Sequence, residues 1–116
     1  MNRFEAEVRA RGMTVFAHID HAAGAAAVGL PLRPTELLIF GNAKTGTPLM
    51  QSTQTLGIDL PLKVLVWQDA SGTAWLSYND PAFLAHRHGL NVADNSIVNA
   101  MTATLKEIAS KATTRS

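Results

Sequence analysis

Residues 35–40, TELLIF, are apolar on both alternating faces of an extended chain. A strand with no polar face needs cover on both sides of its backbone, which places it inside a sheet rather than on the rim. Flanking strands must therefore come from elsewhere in the chain. MTVFAHI at 13–19 alternates, with Met13, Val15, Ala17 and Ile19 on one face and Thr14, Phe16 and His18 on the other. LKVLVWQD at 62–69 and TAWLSY at 73–78 flank ASG and predict a hairpin with its turn near 70–72.

Between these strands lie capped helices. Residues 2–11 carry Phe4 and Val8 four apart on one face, and Gly12 is the stop. Asp20 is a natural N-cap for HAAGAAAV, closed by Gly29. LPLRP at 30–34 connects this helix to TELLIF. Thr47 and Pro48 have the chemistry of an N-cap and a first helical residue, so a helix is expected from there to about Leu56, with Gly57 as its stop. Asp80 and Pro81 repeat that signature before AFLAHRH, which Gly89 ends. After Asp94, Ile97, Val98, Met101, Leu105, Ile108 and Ala112 recur at helical spacing and define one apolar stripe. The tail 110–116 is expected to fray. Helices alternating with strands and closing on a hairpin imply an α+β domain: two layers, a mixed or antiparallel sheet of about four strands, helices on one face.

The 116 residues are 47% hydrophobic and 16% charged, enough for one packed domain over residues 1–116 and against disorder. A formal net charge of +1 supplies no field for a polyanion, so nucleic acid is not expected as a partner. The absence of cysteine removes disulfides, thiolate catalysis and zinc–thiolate sites. The start MNRFEAEVRARG lacks the apolar core of a signal peptide, and AAGAAAVGLPL is too short and too broken to span a bilayer. The expectation is a cytoplasmic protein with no membrane association.

FGNAKTGTPLM, LGIDLPLKVLVWQD and YNDPAFLAHRHGL, with HIDHAAGAAAVGLPLRPTELLIFGN upstream, resemble the bacterial and archaeal family called domain of unknown function 302. The resemblance runs in one register over residues 2–100. It implies a two-layer TATA-binding-protein-like α+β fold that is often dimeric, and it transfers no catalytic residue. Two departures stand out. Ala43 occupies a position where the family often has proline. Family chains also begin with a strand before the first helix, whereas here Met1 already reads as helical. The resemblance then implies that this strand is missing or that a partner chain fills the sheet edge, which favours a homodimer.

Candidate sites follow from the polar loops. GNAKTGT at 41–47 has the glycine spacing of a P-loop, but that motif needs lysine directly after the second glycine, and here Thr47 follows Gly46 while Lys44 sits inside. A weaker anion site remains open, with Gly41, Asn42 and Thr45 shaping the loop, Lys44 supplying charge and the backbone N–H groups of Gly46 and Thr47 facing a small anionic ligand. The structural alternative is a tight turn followed by a cap. His18, Asp20, Asn79 and Asp80 are candidate neighbours, on the expectation that the three polar corners share one rim.

The histidines fall in two pairs, HIDH at 18–21 and HRH at 86–88. Their spacing does not converge on one ion, so no metal and no cofactor are expected. His88 near a helix C-terminus complements the dipole. Three functional readings stand: a self-associating domain that binds a small anionic ligand at residues 41–47, an acid–base enzyme of hydrolase type using His18 with Asp20 or Asp80, and an interaction module without a ligand.

Overall fold

The structure, a computed structural model, describes residues 1–90 and 95–113. Its order is α1 (Asn2–Ala10), β1 (Thr14–Asp20), α2 (His21–Ala27), β2 (Thr35–Gly41), α3 (Ala43–Ser52), a 3₁₀ helix (Gln54–Ile58), β3 (Leu62–Gln68), β4 (Ala74–Tyr78), α4 (Pro81–Arg87) and α5 (Ser96–Thr113). The four strands form one sheet in the order β1-β2-β3-β4, and every neighbouring pair is antiparallel. TELLIF is central, as its two apolar faces require.

Register decides what each face carries. Leu38 pairs with Val64, Phe40 with Leu62, and Val64 with Tyr78, so these residues share one side. Against that side pack Phe4 and Val8 of α1 and Leu105 and Ile108 of α5, all at most 1% exposed. The Phe4 and Phe40 rings meet edge to face at 5.3 Å and 69°. Such a pair adds about 1 kcal/mol to its area burial. A second cluster, Leu49, Leu56, Ala85 and Val98, joins α3, the 3₁₀ helix, α4 and α5.

Local chemistry sets the boundaries. Asp20 Oδ1 accepts from the Ala23 N–H at 2.9 Å and caps α2, and Asp80 Oδ1 caps α4 through the Ala82 N–H at 2.9 Å. Asn95 Oδ1 accepts from Val98 N–H at 3.0 Å ahead of α5, while Asp94 lies outside the described residues. In the β3–β4 turn, Asp69 accepts from the Trp75 indole N–H at 2.7 Å, the Ser71 hydroxyl at 2.7 Å and the N–H groups of Ser71 and Thr73. Those donors, Trp75 first, lower its carboxyl from 3.8 to about 2.

Three expectations are corrected. The helix placed after Thr47 starts at Ala43, with Asn42 as N-cap, so Gly46, Thr47 and Pro48 are helical rather than loop. It stops at Ser52 and the chain tightens into the 3₁₀ helix, instead of running on to Leu56. Residues 110–113 of the expected tail continue α5.

The alternation assigned to β1 also breaks. Val15 pairs with Phe40 but Ala17 pairs with Ile39, a bulge that slips the register by one residue at Phe16. His18 therefore pairs with Leu38 on the helix side, and Ile19 with Leu37 on the opposite side.

Candidate functional site

Between the N-terminal half of α5, the first turns of α3 and the Gly41 end of the sheet lies an open cleft of about 930 Å³. Volumes of 300–1,000 Å³ are typical of small-molecule pockets. Its walls are mostly hydrocarbon. Phe40 and Leu62 come from the sheet, Phe16 from the bulge, Met50 from α3, Leu60 and Pro61 from the loop before β3, and Ile97, Met101 and Leu105 from α5. Polar groups are few: Asn42, Thr45 and Thr47 on one side, Ser96 and Thr104 on α5, and Arg11. One local feature makes the space. Ser96, Ala100 and Thr104 recur every four residues on α5, so the helix presents small side chains where larger ones would fill the gap. A Cβ at Gly41 would lie 3.4 Å from Pro61 Cβ and 3.8 Å from Phe16 Cε2, ordinary contact.

Arg11 is paired in charge: its Nη2 lies 2.8 Å from Glu107 Oε1 and its Nε 3.8 Å from Glu7 Oε2, while that buried Nε has no hydrogen-bond partner among the described residues. The hydrogen bond from Arg11 holds the Glu107 carboxyl below its ordinary range, and its partners raise the guanidinium. Among the described residues Arg11 is the only formal charge lining the cleft, and two carboxylates lie within ion-pair distance of it.

The loop at 41–47 is reached by this geometry, though not as an anion cradle. Gly41, Asn42, Thr45, Gly46 and Thr47 line the cleft, and Lys44 is exposed and does not. Asn42 consumes the donors: its Oδ1 accepts from Lys44 N–H at 2.8 Å, and its carbonyl accepts from Thr45 N–H at 3.1 Å and Gly46 N–H at 2.9 Å. A helix start satisfied by its own cap has little left to offer an anion.

The other polar corners do not converge on the cleft. Thr14 pairs with Gly41 while Asp20 pairs with Glu36, so the whole of β1, about 20 Å at 3.3 Å per residue, separates the loop from Asp20. Asn79 and Asp80 follow β4, two strands away from β2, and line no part of the cleft. His18 contacts Glu36 at 3.0 Å and Glu5 at 3.5 Å, both carboxylates outside the expected acid–base pair. Asp20 and Asp80 are each engaged as caps.

One constellation escaped the sequence reading. His88 Nε2 lies 2.6 Å from Asp59 Oδ2 and its Nδ1 3.0 Å from Thr55 Oγ1, with Arg87 Nη1 3.5 Å from Asp59 Oδ1. His88 and Asp59 side chains are 11% and 16% exposed. This network staples the end of α4 to the 3₁₀ helix and borders no cleft. Among the described residues no group of three or more His, Cys, Asp or Glu side chains is arranged to hold a metal ion.

The family model described as "Domain of unknown function DUF302" matches residues 1–111. A solved structure, that of an uncharacterized conserved protein DUF302 from Bacillus stearothermophilus, superposes with a TM-score of 0.83 at 20% identity, covering 96% of this chain and 86% of that one. At that identity the likeness speaks for the fold. Among curated proteins, the chain is 50% identical over 101 residues to "Fluoride-specific ion channel FluC 1" of Brucella suis and, at the same identity and length, to "Fluoride-specific ion channel FluC 2" of Brucella melitensis. These matches take in 87% of this chain but 40% and 37% of the two relatives.

Proposed function

This chain belongs to the DUF302 family, and we propose that its cleft is a receptor site for a small, largely apolar molecule with one polar, uncharged or weakly anionic end. The observation that carries this reading is the wall composition of the 930 Å³ cleft: mostly hydrocarbon, with hydroxyls and one asparagine among its polar groups and a cation already paired in charge with Glu107. Burying an alkyl or ring body there gains about 25 cal/mol per Å² of apolar surface removed from water. Met50 and Met101 suit such a task, because unbranched thioether side chains reshape around different occupants. The anion expected at residues 41–47 moves, on this reading, from a charged loop to the hydroxyl rim of an apolar cleft.

The channel name of the Brucella relatives belongs to proteins of which this chain matches about two fifths. Among the described residues no helix is long and apolar enough to cross a membrane. In those relatives the shared segment would serve as a ligand-reading unit beside the rest of the protein rather than as a conduction path.

The test is calorimetric titration with octanol and octanoate against the wild-type chain, Ala100→Phe and Lys44→Ala. Ala100 lines the cleft and is otherwise exposed, so a phenyl ring there fills the space without disturbing the core. We expect binding of octanol at least as tight as octanoate, loss of about tenfold or more in affinity for Ala100→Phe, and no change for Lys44→Ala. Binding that survives Ala100→Phe and disappears with Lys44→Ala would return the site to the charged loop.

A further inference from the structure

Sulfur is unevenly placed in this chain. It has no cysteine, and three of its four methionines, Met13, Met50 and Met101, line the same open cleft. Each reaches it from a different part of the fold: Met13 precedes β1, Met50 lies on α3 and Met101 on α5. All three pack against the buried clusters and stay partly exposed. Met50 lies between two glycines. A Cβ at Gly46 would lie 4.0 Å from its Cε and one at Gly57 3.5 Å from its Sδ, so neither neighbour lays a side chain over the thioether. Met1, the fourth, is also partly exposed and lines no part of the cleft.

Leucine would supply a hydrocarbon wall of similar volume. What methionine adds is a sulfur lone pair that peroxides convert to sulfoxide. With no thiolate in the chain, nothing competes with the thioethers for such an oxidant. We infer that the cleft takes an apolar organic hydroperoxide and that its methionines reduce it. The inference rests on the receptor reading of the cleft: the hydroperoxide group is the polar, uncharged end, and the alkyl or aryl body sits against the hydrocarbon walls. The step balances without a further reactant. A sulfur lone pair attacks the terminal oxygen of R–O–O–H, the O–O bond breaks, and sulfur keeps that oxygen as a sulfoxide. The other oxygen leaves with the proton as R–OH. The thioether is oxidised and the peroxide reduced by the same electron pair.

The reaction changes the site that performs it. A sulfoxide oxygen is a strong acceptor set into a wall that is mostly hydrocarbon, so an apolar occupant binds less well afterwards. Each thioether reacts once, and a sulfoxide-reducing enzyme must restore it. Selectivity comes from holding the reactant. A hydroperoxide with an apolar body is kept beside the sulfurs, which raises its effective concentration there. Hydrogen peroxide has no such body and meets every exposed thioether alike.

Peptide mass mapping of methionine sulfoxide tests this, with Met1 as the internal reference. Under substoichiometric cumene hydroperoxide the cleft methionines should together oxidise about tenfold or more faster than Met1. Under hydrogen peroxide the two groups should keep pace, and Ala100→Phe should remove the selectivity for cumene hydroperoxide. Octanol titration of the treated wild-type chain should show a loss of about tenfold in affinity. In the variant carrying Met13→Leu, Met50→Leu and Met101→Leu, octanol affinity, whatever its starting value, should not respond to the treatment. Met1 oxidised by cumene hydroperoxide as fast as the cleft methionines, or selectivity that survives Ala100→Phe, would overturn the inference. A wild-type chain that binds octanol yet oxidises without selectivity sinks this inference alone, whereas a chain that binds no octanol sinks the receptor reading itself.

Discussion

The start of α3 offers the sharpest test of how this chain folds, because sequence pattern and structure assign the N-cap to different residues. In the structure Asn42 is the cap, with its Oδ1 2.8 Å from the Lys44 N–H, and Gly46 and Thr47 are already helical. Asn42→Ala should then lose a capping hydrogen bond and destabilise the domain by about 1 kcal/mol. Thr47→Ala removes no cap and exchanges a poor helix former for the best one, a gain of about 0.5 kcal/mol. Gly46→Ala should gain up to about 1 kcal/mol from propensity. The added methyl would lie 3.9 Å from Leu60 Cδ1 and 4.0 Å from Met50 Cε, ordinary contact, and Gly46 is not among the positive-φ glycines. The three variants should spread over about 2 kcal/mol, or several degrees in melting temperature for a domain of this size. Urea unfolding at one fixed protein concentration measures the order, and an unchanged m-value confirms that only stability moved. If Thr47 were the cap, the order would invert: Thr47→Ala would cost about 1 kcal/mol and Asn42→Ala would be silent. That inversion would refute the boundary, and with it the account of why this loop has few N–H groups to give an anion.

Two further perturbations read other parts of the fold. The Asp69 carboxyl is held down to about 2 from 3.8. A depressed folded value stabilises the native state above the unfolded carboxylate range and loses that contribution as pH falls through the folded value. Asp69→Asn should therefore lower the melting temperature at neutral pH, and its deficit against the wild type should close as pH drops from about 5 to about 2; a deficit independent of pH would remove the carboxylate from the turn's stability. His88→Ala leaves Asp59, 16% exposed, without its imidazole partner at 2.6 Å and Thr55 without its own at 3.0 Å. The expected cost in urea unfolding is about 2 kcal/mol, and a loss below about 0.5 kcal/mol would show that the staple carries no weight.

The elements with strong local chemistry were legible in the sequence. Asp20 and Asp80 announced their helices because a short acceptor side chain stood before each one, and Gly12, Gly29, Gly72 and Gly89 sit at positive φ where turns or helix stops were expected. The stripe from Ile97 to Ala112 specified the inner face of α5 by period alone. What misled was competition between equal signals. Asn42 and Thr47 are both good caps, and Pro48 suited the later one, so the pattern favoured a start five residues late. The structure takes the earlier cap and carries Pro48 inside the helix. The cleft was half visible. Its loop residues were singled out, but the small-residue spacing of Ser96, Ala100 and Thr104 gains meaning only once α5 is known to line one cleft with Phe40 and Leu62. The Thr55–His88–Asp59 network joins residues about thirty apart in sequence and left no local trace.

A single inserted residue shapes both faces of the sheet at β1. Strict alternation through β1 would send Val15, Ala17 and Ile19 to the helix side and Phe16 and His18 to the other. The slip at Phe16 cancels that pattern halfway along the strand. Before it, Val15 packs on the core and Phe16 lines the cleft. Beyond it, His18 turns to the helix side, where Glu5 and Glu36 receive it, and Ile19 turns to the open face beside Leu37. Without the slip the open face would hold an imidazole where it now holds Ile19, and the cleft would lose an aromatic wall. The bulge thus does more than bend an edge strand. It lets one short alternating segment supply a hydrocarbon wall to the cleft and an apolar margin to the open face of the sheet, and neither surface would be continuous if β1 kept its period.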